Sequence, residues 1–192
     1  MKIFNEVIDY SCFEQFDIKK LRDSLVLPIN FDGIYFNCFI CEESKLEDFE
    51  IKELVKTKNL KKDEILFFLS DYEKSLKLYS LSKKVKNSEA INDIFIEEFF
   101  NILLKKAIFS RASDIHIEAS SNTTVIRFRV DGSLKIFYIY EKEFLQILSS
   151  YIKLLAKLDI TMSRLPMDGR FSLDIDTIKY DFRVSTIPTI SG

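Results

Sequence analysis

Glycine is scarce in this sequence, with four residues among 192, at positions 33, 132, 169 and 192. A nucleotide cradle needs glycines close together so that backbone amides can approach phosphate oxygens, and these 192 residues contain no GxxxxGK[ST] phosphate loop. The sequence therefore predicts that this chain cannot assemble an NTPase active site by itself. We assign no catalytic residue in it.

Histidine and cysteine are also rare, with one and three residues. A Ser-His-Asp or Cys-His arrangement would have to use His116, the single histidine, and His116 lies in an alternating strand pattern that disfavours this chemistry. Three cysteines without a secretion signal argue against a disulfide framework. Cys38 and Cys41 form a CxxC, yet a zinc site needs four ligands and only Cys12 and His116 remain. We interpret the cysteines as reduced, buried or half-buried residues, with a metal or redox role as the less favoured alternative.

Excess positive charge and long apolar runs are also missing. Lys and Arg total 28 against 30 Asp and Glu, which does not provide the basic field that nucleic-acid backbones require. The N-terminus MKIFNEVIDY lacks the apolar region of a signal peptide, and no window reaches 18 apolar residues. We expect a cytoplasmic protein with no direct nucleic-acid partner, reaching any membrane through other proteins.

Apolar and charged residues are abundant: 47% of the chain is hydrophobic and 30% is charged, the balance of a globular protein. This length suits one domain or two small ones. The polar, basic run KKVKNS from Lys83 to Ser88 is the candidate linker. We predict an α+β chain with an N-terminal module at 1–82, a linker at 83–90 and a second domain at 91–192.

The N-terminal module mixes short patterns. They predict helices at Phe16–Leu25, Asp48–Lys56 and Tyr72–Tyr79, and strands at Ile34–Cys41 and Ile65–Leu69. This order, α, β, α, β, α, indicates a small α/β module.

In the second domain, Ser88 is the predicted N-cap of a long amphipathic helix. After Arg111 the apolar period changes from 3.6 to 2. The pattern predicts strands at Asp114–Glu118, Val125–Val130 and Leu134–Tyr140, a helix at Lys142–Leu158, and a hairpin of Phe171–Ile175 with Ile178–Val184. Asp131-Gly132 and Asp168-Gly169 are the predicted tight turns.

The pattern DxHxE places Asp114, His116 and Glu118 on one face of a strand, where they could hold a metal. If Glu118 lies opposite Val125 in the predicted hairpin, His116 faces Arg127 and Asp114 faces Arg129. Cations at those positions stabilise the carboxylates and oppose a bound metal ion. We therefore predict a structural charged ladder of these five residues, with a metal site as the less favoured alternative. The five are Asp114, His116, Glu118, Arg127 and Arg129.

Three arginines, Arg164, Arg170 and Arg183, lie on a connection and on the predicted hairpin. An arginine there can project a rigid five-donor fork into a phosphate site of a neighbour and stabilise the charge that grows during phosphoryl transfer. The ordinary alternative is a plain surface arginine or one in an ion pair, for example with Asp168, Asp174 or Asp181. Residue types alone leave both open.

Five runs in this order and spacing resemble the second N-terminal domain of the secretion ATPases, which drive bacterial type II secretion, type IV pilus assembly and DNA uptake. They are ASDIHIE at 112–118, IRFRVDG at 126–132, LAKLDI at 155–160, RLPMDGRF at 164–171 and FRVSTIPT at 182–189. The resemblance implies a PAS-like antiparallel domain joined to a RecA-like ATPase domain that follows Gly192. It also implies a hexamer that uses ATP and Mg, with no cofactor bound by these 192 residues.

By motif position, the resemblance implies that Arg164, Arg170 and Arg183 contact nucleotide phosphates across a domain or subunit boundary. The family usually has glutamine where this chain has Met167. Residues 1–82 would dock on inner-membrane platform proteins, which would place the ATPase peripherally at that membrane. The leading hypothesis is therefore the docking and regulatory part of a secretion ATPase, inactive alone. The alternative is a stand-alone PAS-like adaptor that binds a small ligand or a protein.

Overall fold

The computed structural model describes residues 8–10, 12, 16–48, 54–70, 72–86 and 94–190. Helices and three small, mainly antiparallel sheets alternate along this part of the chain, which confirms the predicted α+β class. The chain divides into two compact units, residues 1–79 and 80–192. The sequence boundaries at 82 and 90 stay a prediction.

The first unit is built on a three-stranded sheet. Its elements are α1 (Ile18–Ser24), β1 (Leu27–Phe31), β2 (Tyr35–Ile40), a 3-10 turn at Leu46–Asp48, β3 (Leu54–Asn59), α2 (Lys62–Ser70) and the start of α3 (Tyr72–Lys86). The sheet order is β1-β2-β3; β1 is antiparallel to β2, and β3 is parallel to it. Fully buried Leu21, Phe36, Phe39 and Leu69 form the centre of its core. Asp17 caps α1 by accepting from the Lys19 amide at 2.8 Å, and α1 is one of the predicted helices.

Several predictions for this unit are wrong. The predicted helix Asp48–Lys56 is a strand from Leu54 onward, and the predicted strand Ile65–Leu69 is α2. Within α2, Ile65, Phe68 and Leu69 are buried at helical spacing, so the run follows a period of 3.6 rather than 2.

One strand was also missed, and one helix extends further than predicted. β1 was not predicted because Pro28 lies in it; proline is tolerated there since β1 is at a sheet edge, next to a register shift between Pro28 and Asn30. Lys83–Lys86, assigned by sequence to the linker, continue α3.

The second unit contains the helices and strands that the apolar periods of 3.6 and 2 predicted. They are α4 (Ile94–Phe109), β4 (Asp114–Ala119), β5 (Thr123–Val130), β6 (Ser133–Glu141), α5 (Phe144–Leu155), β7 (Met167–Ile175) and β8 (Ile178–Thr186). β4, β5 and β6 form one antiparallel sheet, and β7 pairs with β8 in a separate hairpin. Ser88, the predicted N-cap of α4, lies outside the described residues.

Aromatic rings fill the interior of the second unit. Phe99 on α4 meets Tyr140 on β6 with ring centroids 5.4 Å apart and Phe144 on α5 at 4.8 Å. Phe100 on α4 meets Phe171 on β7 at 6.1 Å, which fastens the hairpin to this core. Phe99 and Phe100 are buried, so α4 anchors both sheets. Within the described ranges, no helix has the combined length and apolar character needed to span a membrane.

Candidate functional site

The hairpin β7–β8 has two different faces. Met167, Gly169, Phe171, Leu173 and Ile175 on β7 are half-buried or buried, whereas the residues between them are exposed. The rings of Phe171 and Phe182 stack across the strands at 5.0 Å on the inner face. Because side chains alternate along a strand, every intervening polar residue must project from the outer face. The outer face is therefore a charged surface supported by an apolar layer.

Arg170 and Arg183 lie directly opposite each other on this outer face. The neighbouring outer pairs are Asp168 with Ser185, Ser172 with Asp181 and Asp174 with Lys179, and none of them joins two like charges. Like charges directly opposite each other destabilise a hairpin. The Arg170–Arg183 pair therefore destabilises the hairpin locally. The neighbouring cross-strand pairs on the same face are neutral or of opposite charge.

Both arginines are candidate residues from the sequence, but their position opposite each other across the two strands was not predicted. The signal was present, because a two-residue turn between the predicted strand ends Ile175 and Ile178 places Arg170 across from Arg183. The turn is Asp176–Thr177, with φ of 49° and 72°.

Arg164 lies on the connection between α5 and β7 and is exposed. The connection has its own hydrogen bonds: the Lys153 ammonium donates to the Met162 carbonyl at 2.7 Å, and the Thr161 amide donates to Asp159 Oδ1 at 2.8 Å. The Thr161 hydroxyl, which also donates to Asp159 Oδ1, and the Thr161 amide lower the pKa of the Asp159 carboxyl below its ordinary value. The segment that carries Arg164 is therefore held by polar contacts and leaves its guanidinium in solvent.

Gly169 has a role that the sequence did not predict. Asp168-Gly169 is not a tight turn, because both residues lie inside β7. A Cβ at position 169 would come within 2.9 Å of Ala156 Cβ and 3.1 Å of Leu158 Cδ2. Glycine is therefore needed for the close approach of β7 to the end of α5, and that approach positions the neighbouring Arg170.

None of the three guanidinium groups forms an ion pair within the described part of the chain. The ion-pair form of the ordinary alternative is thus not what the structure shows, whereas plain surface arginines also fit the exposure of these three residues. Exposed guanidinium groups with five donors each suit an oxyanion such as a phosphate or carboxylate, whose oxygens accept paired N–H hydrogen bonds. This arrangement can bind an anion supplied from outside the chain.

The charged ladder lies on the other sheet. Asp114 faces Arg129 and His116 faces Arg127, the register predicted from the sequence. Arg129 Nε donates to Asp114 Oδ2 at 3.0 Å, and Arg127 donates to Glu118. Since these carboxylates already bind arginine, they are poor candidates for metal ligands. No group of three or more His, Cys, Asp or Glu side chains among the described residues is placed to hold a metal ion.

Fold and site together define an α+β protein with exposed arginines, unpaired within the described residues, on the hairpin β7–β8 and on the connection before it. The family model for the type II/IV secretion system protein matches residues 89–192, which include both the ladder and the hairpin. The chain belongs to the type II/IV secretion system protein family.

Curated relatives agree with this family. The chain is 36% identical over 158 residues to type II secretion system protein E of Klebsiella pneumoniae, covering 80% of this chain and 32% of the relative. It is 35% identical over 150 residues to the protein of the same name from Dickeya dadantii, covering 76% and 30%. It is 41% identical over 118 residues to type II secretion system ATPase E of Vibrio cholerae, covering 59% and 24%. The chain thus spans between about a quarter and a third of the length of these relatives.

Proposed function

We propose that this chain is the docking and regulatory part of an ATPase that powers type II secretion, and that its arginine hairpin contacts the nucleotide of the motor. The observation that carries the proposal is the directly opposed Arg170 and Arg183, exposed and without an acidic partner in the described residues. Such a pair lowers the stability of the hairpin unless an anion lies between the guanidinium groups.

The anion has to come from elsewhere, because the 192 residues contain no phosphate loop. A relative carries the name type II secretion system ATPase E, so a nucleotide phosphate is the anion most consistent with the family. Arg164, Arg170 and Arg183 then stabilise negative charge that develops on the phosphates during hydrolysis, reaching across a domain or subunit boundary.

The assembly follows from the same proposal. ATP and Mg bind to the motor rather than to residues 1–192, subunits associate as a hexamer, and residues 1–82 dock on inner-membrane platform proteins. The ATPase is then cytoplasmic and peripheral at that membrane. The relatives compared above are named for type II secretion, which favours this system over type IV pilus assembly or DNA uptake.

The small-ligand form of the stand-alone PAS-like adaptor receives less support. A ligand-sensing domain needs space between its helices and its sheet. Here the rings of Phe99, Tyr140 and Phe144 meet at 4.8 to 5.4 Å in that position.

The first test is turnover by the intact ATPase with Arg170→Ala, Arg183→Ala, Arg164→Ala and the double variant Arg170→Ala/Arg183→Ala. We expect each single substitution to lower kcat at least about tenfold. Removing one hydrogen-bond donor that stabilises the transition state typically lowers kcat by about 10²–10³, and tenfold is the lower bound for a partial contribution. The double variant should lose little more than either single one if both arginines bind one phosphate. The melting temperature should stay the same or rise, since a repulsive pair is removed.

Lys179→Ala is the matched control, because Lys179 is an exposed cation on the same face of the hairpin, opposite Asp174. It should leave kcat within about twofold. Wild-type turnover in all three arginine variants would contradict the nucleotide contact. Independent ATP turnover by purified residues 1–192 would contradict the claim that the chain is inactive alone.

A further inference from the structure

β3 of the first unit is a strand that buries none of its side chains. All six residues, Leu54–Asn59, are exposed, including 62% of Leu54 and 37% of Val55. In an ordinary half-buried strand, every second side chain is buried. β3 lies at one end of the sheet order β1-β2-β3, and within the described ranges no strand pairs with its outer edge. It is therefore held mainly by its ladder with β2.

Backbone geometry shows which groups of β3 remain available. The Leu60 amide donates to the Ile40 carbonyl at 2.8 Å. Backbone groups of successive strand residues point to opposite sides, so those of Lys58 and Lys56, two and four residues before Leu60, also point toward β2. The Cys38 thiol on β2 lies 3.9 Å from the Lys56 carbonyl, which agrees with a Lys56 carbonyl that points toward β2. The amides and carbonyls of Val55, Thr57 and Asn59 consequently point away from the sheet, toward its open edge.

The charge around this edge differs from that of the rest of the unit. From Leu54 to Lys62 the sequence has four lysines and no acidic residue, with Lys62 in an ion pair with Glu43, whereas residues 1–79 as a whole have 12 basic and 16 acidic residues. The Lys56 ammonium lies 3.4 Å from the centre of the Tyr35 ring, which holds this cation on the sheet surface. A basic edge in an acidic unit attracts an acidic partner segment.

We propose that an acidic, extended segment of a partner protein adds to the sheet as a fourth strand beside β3. Main-chain hydrogen bonds to Val55, Thr57 and Asn59 would supply affinity, and Lys56 and Lys58 would select acidic residues. This inference rests on the docking role proposed for residues 1–82 and names the chemistry of the partner. The competing interpretation is that the lysines protect the edge from pairing, as edge lysines do in many sheets.

The test uses the 192-residue chain and a fluorescent ten-residue peptide of alternating glutamate and valine, measured by fluorescence anisotropy. Thr57→Pro removes one outward amide without removing a β2 hydrogen bond, and Thr57→Val is its matched control with the amide retained. We expect Thr57→Pro to weaken binding at least about tenfold and Thr57→Val to leave it within about twofold. N-methylation of alternate peptide amides should abolish binding, and Lys56→Gln/Lys58→Gln should weaken it and flatten its salt dependence.

Hydrogen exchange gives an independent readout, because the Val55, Thr57 and Asn59 amides should become protected when the peptide binds. Absence of binding at millimolar peptide would overturn the proposal. Binding that survives both Thr57→Pro and N-methylation would also overturn it, since the contact would then be charge alone. If Lys56→Gln/Lys58→Gln causes self-association instead of weaker peptide binding, the lysines protect the edge and the proposal fails.

Docking itself is measured separately, as recruitment of the intact ATPase to inner-membrane vesicles that carry the secretion platform. If deletion of residues 1–82 abolishes recruitment but Thr57→Pro does not, the docking role stands and the strand-addition proposal fails. If the deletion leaves recruitment unchanged, the docking role fails whatever the peptide measurement shows.

Discussion

At the scale of single residues, the candidate site depends on a glycine that carries no chemistry. Gly169 lets β7 approach the end of α5, where a Cβ would lie 2.9 Å from Ala156 Cβ and 3.1 Å from the Ala156 carbonyl oxygen. Arg170 is the next residue and points to the opposite face. A substitution at position 169 should therefore shift the backbone of β7 and move Arg170 with it.

Gly169→Ala should destabilise the second unit by about 1–3 kcal/mol, the usual cost of overpacking a tight contact. The measurement is urea denaturation followed by circular dichroism. Ala156→Gly in the same chain removes the opposing Cβ and should restore part of the loss, because the contact is mainly between these two side-chain positions. Equal stability of Gly169→Ala and wild type would show that β7 can shift without cost.

At the scale of elements, two hairpins of the second unit use the same turn with different residues. Asp131–Gly132 joins β5 to β6 with φ of 51° and 76°, and Asp176–Thr177 joins β7 to β8 with φ of 49° and 72°. Positive φ at both central positions is the type I′ turn, which favours glycine second. Thr177 is β-branched and is strained in that conformation. The hairpin that carries the arginines therefore has the less favourable turn.

Thr177→Gly should stabilise the chain by about 0.5–1 kcal/mol, because relief of left-handed strain of about 1–2 kcal/mol exceeds the added entropy of glycine in the unfolded state. The reciprocal control is Gly132→Thr, which should destabilise by a similar amount. A Cβ at 132 meets no atom within 4 Å, so that loss would report backbone conformation alone. Urea midpoints of both variants provide the test, and a loss of stability in Thr177→Gly would exclude strain at this turn.

At the scale of the whole molecule, the chain divides into two units that each have a buried core. Leu21 on α1 and Leu103 on α4 are both fully buried leucines on helices, one in each unit. They allow the two cores to be perturbed by the same chemical change. The division lies within α3, so independence of the units is a question that stability measurements can answer.

Leu21→Ala should destabilise residues 1–79 by about 2–5 kcal/mol and leave residues 94–190 unchanged, and Leu103→Ala should do the reverse. Native-state hydrogen exchange resolved by residue is the measurement, because it reports the opening free energy of each region separately. If either substitution accelerates exchange equally in both regions, the chain unfolds as one cooperative domain and the predicted linker at 83–90 does not separate two domains.

Prediction from sequence succeeded where the pattern has one interpretation. In β4 and β5, Ile115, Ile117, Ile126 and Phe128 alternate with charged residues, so both strands followed from the sequence, and the register considered there, with Glu118 opposite Val125, is the observed one. It failed for Ile65–Leu69, because a short apolar run fits a strand and a buried helix equally well until its packing partner is known. It failed for β1 because Pro28 is acceptable in a strand only at an edge, and edge position is a property of the sheet.

The sequence by itself determined the α+β class, the ladder, the three arginines and the family resemblance, because these depend on local periodicity and on short motifs. Tertiary structure decided the packing of Phe171 on β7 against Phe100 on α4, the role of Gly169 against Ala156, and the exposed edge of β3. Each of these depends on which distant segments approach one another, and that is set by burial of the two cores rather than by neighbouring residues in the chain.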